Sequence, residues 1–376
     1  TEAFTRAEGL IREIDTTIRE RQTEALMERT ASPLNPAHWG TALSHLQSTA
    51  TGIVTEIENN WSSASRRSAL RDDLPITLAL VIVALVLLLR GRAWMERLSS
   101  SAFDRLGSRV AGLILSTGQV IMPTLGSLLL LQALDSTGIL GVRGTTLAGT
   151  LLFLVIAIFA AHWIAGRLFP KRGDSLLGGD MPPETRGHLR WYAGAIGAAV
   201  GLGAVLDTMA ERELYSAEVQ SVLFFPIVVV LGFLLFRVGR ILKRYARDRQ
   251  SDDHVGLFEA SILSFLARGA ILLGLLGPLL AAAGYLAATQ YTVFPAAFTL
   301  GLAGVVTILI RLVRDLYALA TGSTEEEVQA ALLPTLLGFM VILAAVPALA
   351  LIWGARVADL TELWTRLREG FTIGET

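Results

Sequence analysis

The stretch LPITLALVIVALVLLL, Leu74–Leu89, contains no charged side chain and ends abruptly at Arg90. A helix that crosses a bilayer needs about 20 predominantly apolar residues, with roughly 17–25 usual. The stretch therefore predicts a short transmembrane helix. We expect such a short helix to tilt little, or to place the flanking residues Asp72 and Asp73 near the membrane interface.

Further apolar runs follow, and together they decide the fold class. The chain has 376 residues, of which 52% are hydrophobic and 17% charged, against about 25% charged in soluble domains. We predict an all-α, polytopic membrane protein with about eight transmembrane helices and an N-terminal helical hairpin outside the membrane. After Leu74–Leu89, the runs are Val110–Leu134, Leu147–Phe169, Trp191–Met209, Val219–Phe236, Ile271–Ala288, Val293–Ile310 and Ala330–Trp353.

Positive charge alternates between the loops that join these runs. The first, third, fifth and seventh loops carry two or more Lys or Arg side chains, whereas the second and fourth carry one each and the sixth carries none. Because Lys and Arg are enriched in cytoplasmic loops, the odd-numbered loops are expected in the cytoplasm. The N-terminal region and the end of the chain are then expected outside.

The N-terminal region, residues 1–73, is polar and helical in pattern. Apolar residues step by three and four from Phe4 to Ile18 and again from Trp39 to Ile57, and SPLNP at Ser32–Pro36 interrupts them. Two prolines this close together interrupt a helix, because each removes a backbone hydrogen bond and clashes with the preceding turn. An antiparallel hairpin is the simplest interpretation, and a different soluble helical cap has the same pattern.

The chain's last helical stretch is amphipathic. In LTELWTRLREGFTIGET, the apolar residues Leu360, Leu363, Trp364 and Leu367 share one helix face. We expect an eight-helix membrane module at residues 74–355 and an interfacial anchor at 356–376, with its apolar face against the lipid.

Two pairs of residues in the apolar runs, one of glycines and one of a proline with a glycine, are candidates for close helix packing or for a hinge. Gly197 and Gly201 form a GxxxG pair, which lets helices approach closely or lets a helix line a pore. Pro278 and Gly284 in the sixth run are candidates for a hinge or a static bend.

A basic belt follows the fifth run and faces the predicted cytoplasm. Its position suits anionic lipid headgroups, or it serves to fix the topology; both roles are compatible. Its members are Arg237, Arg240, Lys243, Arg244 and Arg247.

The sequence offers no residues for several other functions. It has no cysteine and a formal net charge of −1, and it lacks the common nucleophile, zinc and phosphate-loop motifs. We therefore expect no enzyme, no metal or cofactor and no nucleic-acid partner. No run holds two acidic groups spaced for an ion relay, which weakens a secondary transporter as an interpretation.

Both ends of the chain resemble a known channel family. IDTTIRERQTEALMERTASPLNPAHW and ADLTELWTRLREGFTIGE are similar to the periplasmic region and the interfacial segment of large bacterial members of the small-conductance mechanosensitive (MscS-like) family. The resemblance implies a tension-sensing paddle in a homo-oligomeric, heptameric osmotic-release channel of the bacterial inner membrane. Its partners would be membrane lipids and permeating ions.

The sequence departs from that family in one respect. The family's alanine-glycine pore helix has no counterpart, because Gly194–Val205 continues as LDTMAERE. The pore residues are therefore unknown, and the pore module is expected beyond Thr376. A secondary transporter and a non-conducting membrane scaffold remain the alternatives.

Overall fold

A computed structural model of the protein describes residues 24, 26–62, 64–106, 109–171, 181–252, 257–324, 327–328 and 331–369. These residues form helices and their connections, without a strand. After a 3-10 turn at Pro36–His38, the helices are α1 (Trp39–Ser62), α2 (Ala64–Leu106), α3 (Arg109–Ser136), α4 (Val142–Leu168), α5 (Pro183–Arg212), α6 (Ala217–Asp252), α7 (Leu257–Ala283), α8 (Leu286–Thr321), α9 (Leu332–Ile352) and α10 (Val357–Glu369).

Helices α2 to α9 each contain a segment long and apolar enough to cross a membrane, which makes eight in the described part of the chain. This confirms the all-α polytopic fold. Several helices extend well beyond their apolar runs; the first candidate span is Leu74–Ser99 rather than Leu74–Leu89. Arg90 ends the apolar run but not the helix, because an arginine side chain is compatible with continued backbone hydrogen bonding.

The sixth predicted run has the wrong end. α7 stops at Ala283, Gly284 has a φ of +96°, and α8 begins at Leu286. The Gly284 N–H donates to the Ala281 carbonyl at 3.0 Å and the Tyr285 N–H to the Leu280 carbonyl at 2.9 Å, a glycine-terminated helix end. Hydropathy missed this turn because the residues on both sides of it are small and apolar.

The spans pack as consecutive hairpins around one central helix. α2 lies against α3, α4 against α5, and α6 against α7, while α8 contacts α3, α4, α5, α6, α7 and α9. The core centres on α6, where Val228, Leu231 and Leu235 are fully buried and belong to the same hydrophobic cluster as Val293 of α8.

Residues 29–62 of the N-terminal region cover one end of this bundle. The first half of the predicted hairpin, residues 1–23, lies outside the described residues. The break at Ser32–Pro36 is present: the Asn35 side chain caps the 3-10 turn by accepting from the Ala37 N–H at 3.1 Å, and the Trp39 indole donates to the Pro33 carbonyl at 2.7 Å. α1 then packs on α6 and also contacts α2 and α4.

The last two helices have few buried residues and lie at the edge of the bundle. Among the described residues of α9, Pro334 and Gly338 are buried, and the helix packs extensively only on α8 among the described helices. Gly354, with a φ of +91°, ends α9, and the Ala355 N–H donates to the Ala350 carbonyl at 2.9 Å. α10 follows and has no extensive packing against another helix in the described part of the chain.

Candidate functional site

The five cations of the predicted lipid belt are all exposed on α6, near its C-terminal end. Arg237, Arg240 and Arg244 are spaced i, i+3 and i+7 and share one face of the helix. Arg247 lies at the edge of that face, and Lys243 lies roughly a quarter turn from its centre, by helix geometry.

An open cavity of about 230 Å³ lies between the start of α5 and the end of α6. We call it the α5–α6 cavity. The α6 side supplies the three arginines of one face together with Ile241, and the α5 side supplies Thr185, His188 and Tyr192.

Tyr192 holds one of these arginines in place. Its hydroxyl accepts from Arg237 Nη2 at 3.2 Å and Nε at 3.4 Å, and the guanidinium carbon lies 6.0 Å from the ring centroid. The Arg240 guanidinium lies 5.6 Å from the Phe236 ring centroid. The cavity therefore combines one oriented arginine with two that project from the surface.

Other cations at this end of the bundle have partners that join helices. Arg167 Nη2 donates to Ser99 Oγ and to the Gly112 carbonyl, both at 3.1 Å, which links α4 to α2 and α3. Lys171 pairs with Glu96 at 2.7 Å. Arg190 Nη1 donates to the Phe169 carbonyl at 3.1 Å and so satisfies an acceptor just beyond α4.

The predicted packing glycines lie where α5 meets α4. A Cβ added to Gly197 would stand 2.4 Å from the Ala157 carbonyl oxygen, and one added to Gly201 would stand 2.6 Å from the Leu154 Cα. Both distances are shorter than van der Waals contact allows. The backbones of α4 and α5 can therefore approach this closely only because these two residues lack a side chain.

The sequence reasoning missed equivalent glycines in the other two hairpins. A Cβ on Gly232 of α6 would meet the Gly274 carbonyl of α7 at 2.7 Å, and one on Gly126 of α3 would meet the Ala84 carbonyl of α2 at 2.8 Å. The available signal was glycine in the second, fifth and sixth apolar runs, but its spacing differs from GxxxG. Close packing is therefore common to all three hairpins.

The two hinge candidates occupy different surroundings. Pro278 lies inside α7 and faces α6, since a Cβ on Gly232 would be 2.6 Å from its Cγ. Gly284 lies in the α7–α8 turn rather than within a span. Its carbonyl accepts from the Thr30 N–H at 2.9 Å and from the Thr30 hydroxyl at 2.7 Å.

That contact is one of several that attach residues 29–62 to one end of the bundle. Arg143, at the α3–α4 turn, pairs with Glu213 at 2.9 Å and with Glu56 of α1 at 3.8 Å. Tyr215, at the α5–α6 turn, shares a 2.6 Å hydrogen bond with Thr49 of α1. Residues 29–62 thus contact all three even-numbered loops, so they lie at the end of the bundle opposite the α5–α6 cavity.

The predicted interfacial anchor is only partly within the described side chains. Leu360 is half-buried and Trp364 is 70% exposed. The side chains of Leu363 and Leu367 lie outside the described residues. The helix itself spans Val357–Glu369, and the Arg356 N–H donates to Asp359 Oδ2 at 3.3 Å at its start.

The chemistry available in the described residues is anion binding. No group of three His, Asp or Glu side chains there is arranged to hold a metal ion. The α5–α6 cavity instead offers guanidinium, imidazole and hydroxyl groups, which donate hydrogen bonds to phosphate or carboxylate oxygens.

Comparison with known proteins reaches only the N-terminal region. A family described as "Protein of unknown function (DUF3772)" matches residues 1–58. No curated protein and no solved structure matches the chain. The family match ends inside α1 and does not extend to the spanning helices.

Proposed function

We propose that this chain is the tension-sensing, membrane-embedded N-terminal part of a mechanosensitive ion-channel subunit, of the MscS-like kind that its two ends resemble. The observation that carries the proposal is the arm formed by α9 and α10. In the described part of the chain, α9 packs extensively only on α8, and α10 continues from it as an amphipathic helix without extensive packing on another helix. Such an arm transmits movement between the bundle and whatever α10 contacts.

The proposed mechanism is mechanical. Most side chains of α9 are exposed, and those of α2 are also largely exposed, so lipid or a neighbouring subunit covers them. Membrane tension favours whichever conformation occupies the larger area in the bilayer. The helical hairpins form a paddle that flattens under tension, and this shifts the population toward the conformation of larger area. The α9–α10 arm carries the displacement to the pore.

The proposal includes a location and an assembly. The resemblance supports a location in the bacterial inner membrane, and the alternation of loop charge supports residues 29–62 and α10 on its outer, periplasmic side. The resemblance supports a homo-oligomer of seven subunits that conducts ions through a pore module encoded beyond Thr376. Lipids are the expected partners of the outer surface.

Patch-clamp recording of the full-length gene product in liposomes tests this function. We expect a stretch-activated current, and we expect the tension needed to open the channel to rise in Leu360→Asp. The reason is that a charge on the apolar face of α10 weakens the binding of this helix to the membrane interface. Glu362→Gln, on the opposite face, serves as the control and should leave the threshold unchanged.

The two alternative functions, a non-conducting scaffold and a secondary transporter, predict different results in this experiment. A protein without current up to the lytic tension is a scaffold, and solute flux that is independent of stretch indicates a transporter. Either result overturns the channel proposal.

A further inference from the structure

The α5–α6 cavity concentrates positive charge in the part of the bundle nearest the odd-numbered loops. We propose that it binds the phosphate group of an anionic phospholipid from that leaflet. Binding requires only the membrane location of the protein, so the inference stands whether or not the protein conducts ions.

The first argument is the state of the three arginines. In the described part of the chain, none of Arg237, Arg240 and Arg244 forms an ion pair with a carboxylate. At the same end of the bundle, Lys171 is paired with Glu96 at 2.7 Å. Guanidinium groups bind phosphate through parallel, charge-assisted hydrogen bonds, so three of them around one cavity form a site for that group.

The second argument is the geometry of the walls. Tyr192 is nearly buried and orients Arg237 through its hydroxyl, so part of the site is formed before an anion arrives. His188 and Thr185 contribute further hydrogen-bonding groups from the opposite wall. The volume of about 230 Å³ is below the roughly 300–1,000 Å³ of pockets for drug-sized ligands, which fits a headgroup rather than a whole metabolite.

The third argument distinguishes a lipid from a free anion. Phe233 and Val230 precede Arg237 by four and seven residues, so they continue the same face of α6 toward the bilayer, and they are 57% and 51% exposed. Trp191, beside Tyr192, is 65% exposed, and exposed tryptophans of membrane proteins mark the headgroup level. A phosphate in the cavity therefore has an apolar surface beside it for the acyl chains.

Native mass spectrometry of the delipidated full-length chain measures this binding directly. Dioleoyl phosphatidic acid, phosphatidylglycerol and phosphatidylcholine are titrated separately, and inorganic phosphate forms a fourth arm. We expect the two anionic lipids to bind about tenfold more tightly than phosphatidylcholine, a difference equivalent to roughly 1.4 kcal/mol.

Two double variants carry the same loss of charge. Arg240→Gln with Arg244→Gln removes the two projecting cations of the cavity, and we expect the preference for anionic lipid to disappear. Arg90→Gln with Lys243→Gln removes two exposed cations from the same end but none from the cavity, and it should keep the preference. Tyr192→Phe provides a third variant, with severalfold weaker binding because Arg237 loses the group that orients it.

Equal losses in the two double variants would overturn the site, because general attraction to the basic surface would then explain the binding. Inorganic phosphate that binds as tightly as the lipids and displaces them would overturn the lipid assignment. Unchanged thermal unfolding of each variant verifies that the fold is intact.

Discussion

At the scale of single residues, glycines determine how closely the helices of each hairpin approach. Gly197 and Gly201 face the backbone of α4, and Gly232 faces Gly274 across the α6–α7 contact. In a bilayer, lipid competes with protein for apolar contacts, so close backbone packing becomes a main source of association between helices.

Gly197→Ala should destabilise the α4–α5 hairpin. The new Cβ would lie 2.4 Å from the Ala157 carbonyl, and relieving such an overlap costs about 1–3 kcal/mol. Gly187→Ala is the matched control on α5, because nothing lies within 4 Å of its added Cβ; it should keep or raise stability, since alanine is the better helix former. Denaturant titration in detergent micelles measures both, and equal effects would contradict the packing role of Gly197.

A second residue-scale prediction concerns the attachment of α1. The hydroxyls of Tyr215 and Thr49 share a 2.6 Å hydrogen bond, and the two residues are 4% and 3% exposed. Tyr215→Phe leaves the Thr49 hydroxyl buried without this partner, at a cost of about 1–3 kcal/mol. Hydrogen exchange of the α1 amides should accelerate accordingly.

Tyr291→Phe is the control for that experiment, because Tyr291 is 57% exposed and its hydroxyl can be hydrated. An α1 exchange rate that does not change in Tyr215→Phe, or that rises as much in Tyr291→Phe, would show that this hydrogen bond does not fasten α1.

At the scale of elements, apolar runs were sufficient to predict the helices but not their ends. Runs report the part of a helix that is compatible with lipid, whereas the helix ends where its backbone turns. Gly284 and Gly354 end α7 and α9 through positive φ angles, and nothing in hydropathy distinguishes these glycines from those inside helices. This is why the sixth run was placed past the real turn.

The α10 helix gives a prediction at this scale. The chain has no cysteine, so Trp364→Cys and Glu362→Cys each carry a single site for an environment-sensitive fluorophore. If α10 lies in the interface, a probe at 364 should emit at shorter wavelength in liposomes and be quenched by brominated lipid. A probe at 362, on the polar face, should report water; identical spectra from both sites would contradict the interfacial position.

At the scale of the whole molecule, the sequence singled out three of the seven residues that line the candidate cavity, but not the cavity itself. The arginines of α6 were found as a cluster along one segment, but Thr185, His188 and Tyr192 lie about fifty residues earlier and have no charge pattern to single them out. Tertiary packing of α5 on α6 brings them together, and it also divides the belt, leaving Lys243 off the cavity face. Local patterns carry no information about such contacts.

The contact between residues 29–62 and the even-numbered loops likewise depends on tertiary structure. Thr30, Thr49 and Glu56 meet turns that are distant in sequence. The sequence nevertheless predicted that the N-terminal region and these loops lie on one side of the membrane. The alternating charge of the loops puts the odd-numbered loops in the cytoplasm, so the even-numbered loops and the N-terminal region are expected on the other side. The contacts of Thr30, Thr49 and Glu56 place residues 29–62 and the even-numbered loops at one end of the bundle.

Labelling single cysteines in spheroplasts with a membrane-impermeant maleimide tests this topology, on which the function depends, most directly. The sites are Ser44→Cys in α1, Thr365→Cys in α10 and Lys243→Cys in α6, three positions with exposed native side chains. We predict that 44 and 365 react in intact spheroplasts and that 243 reacts only after permeabilisation. Reaction of 365 only after permeabilisation would mean that α10 lies in the cytoplasm, and it would contradict the account.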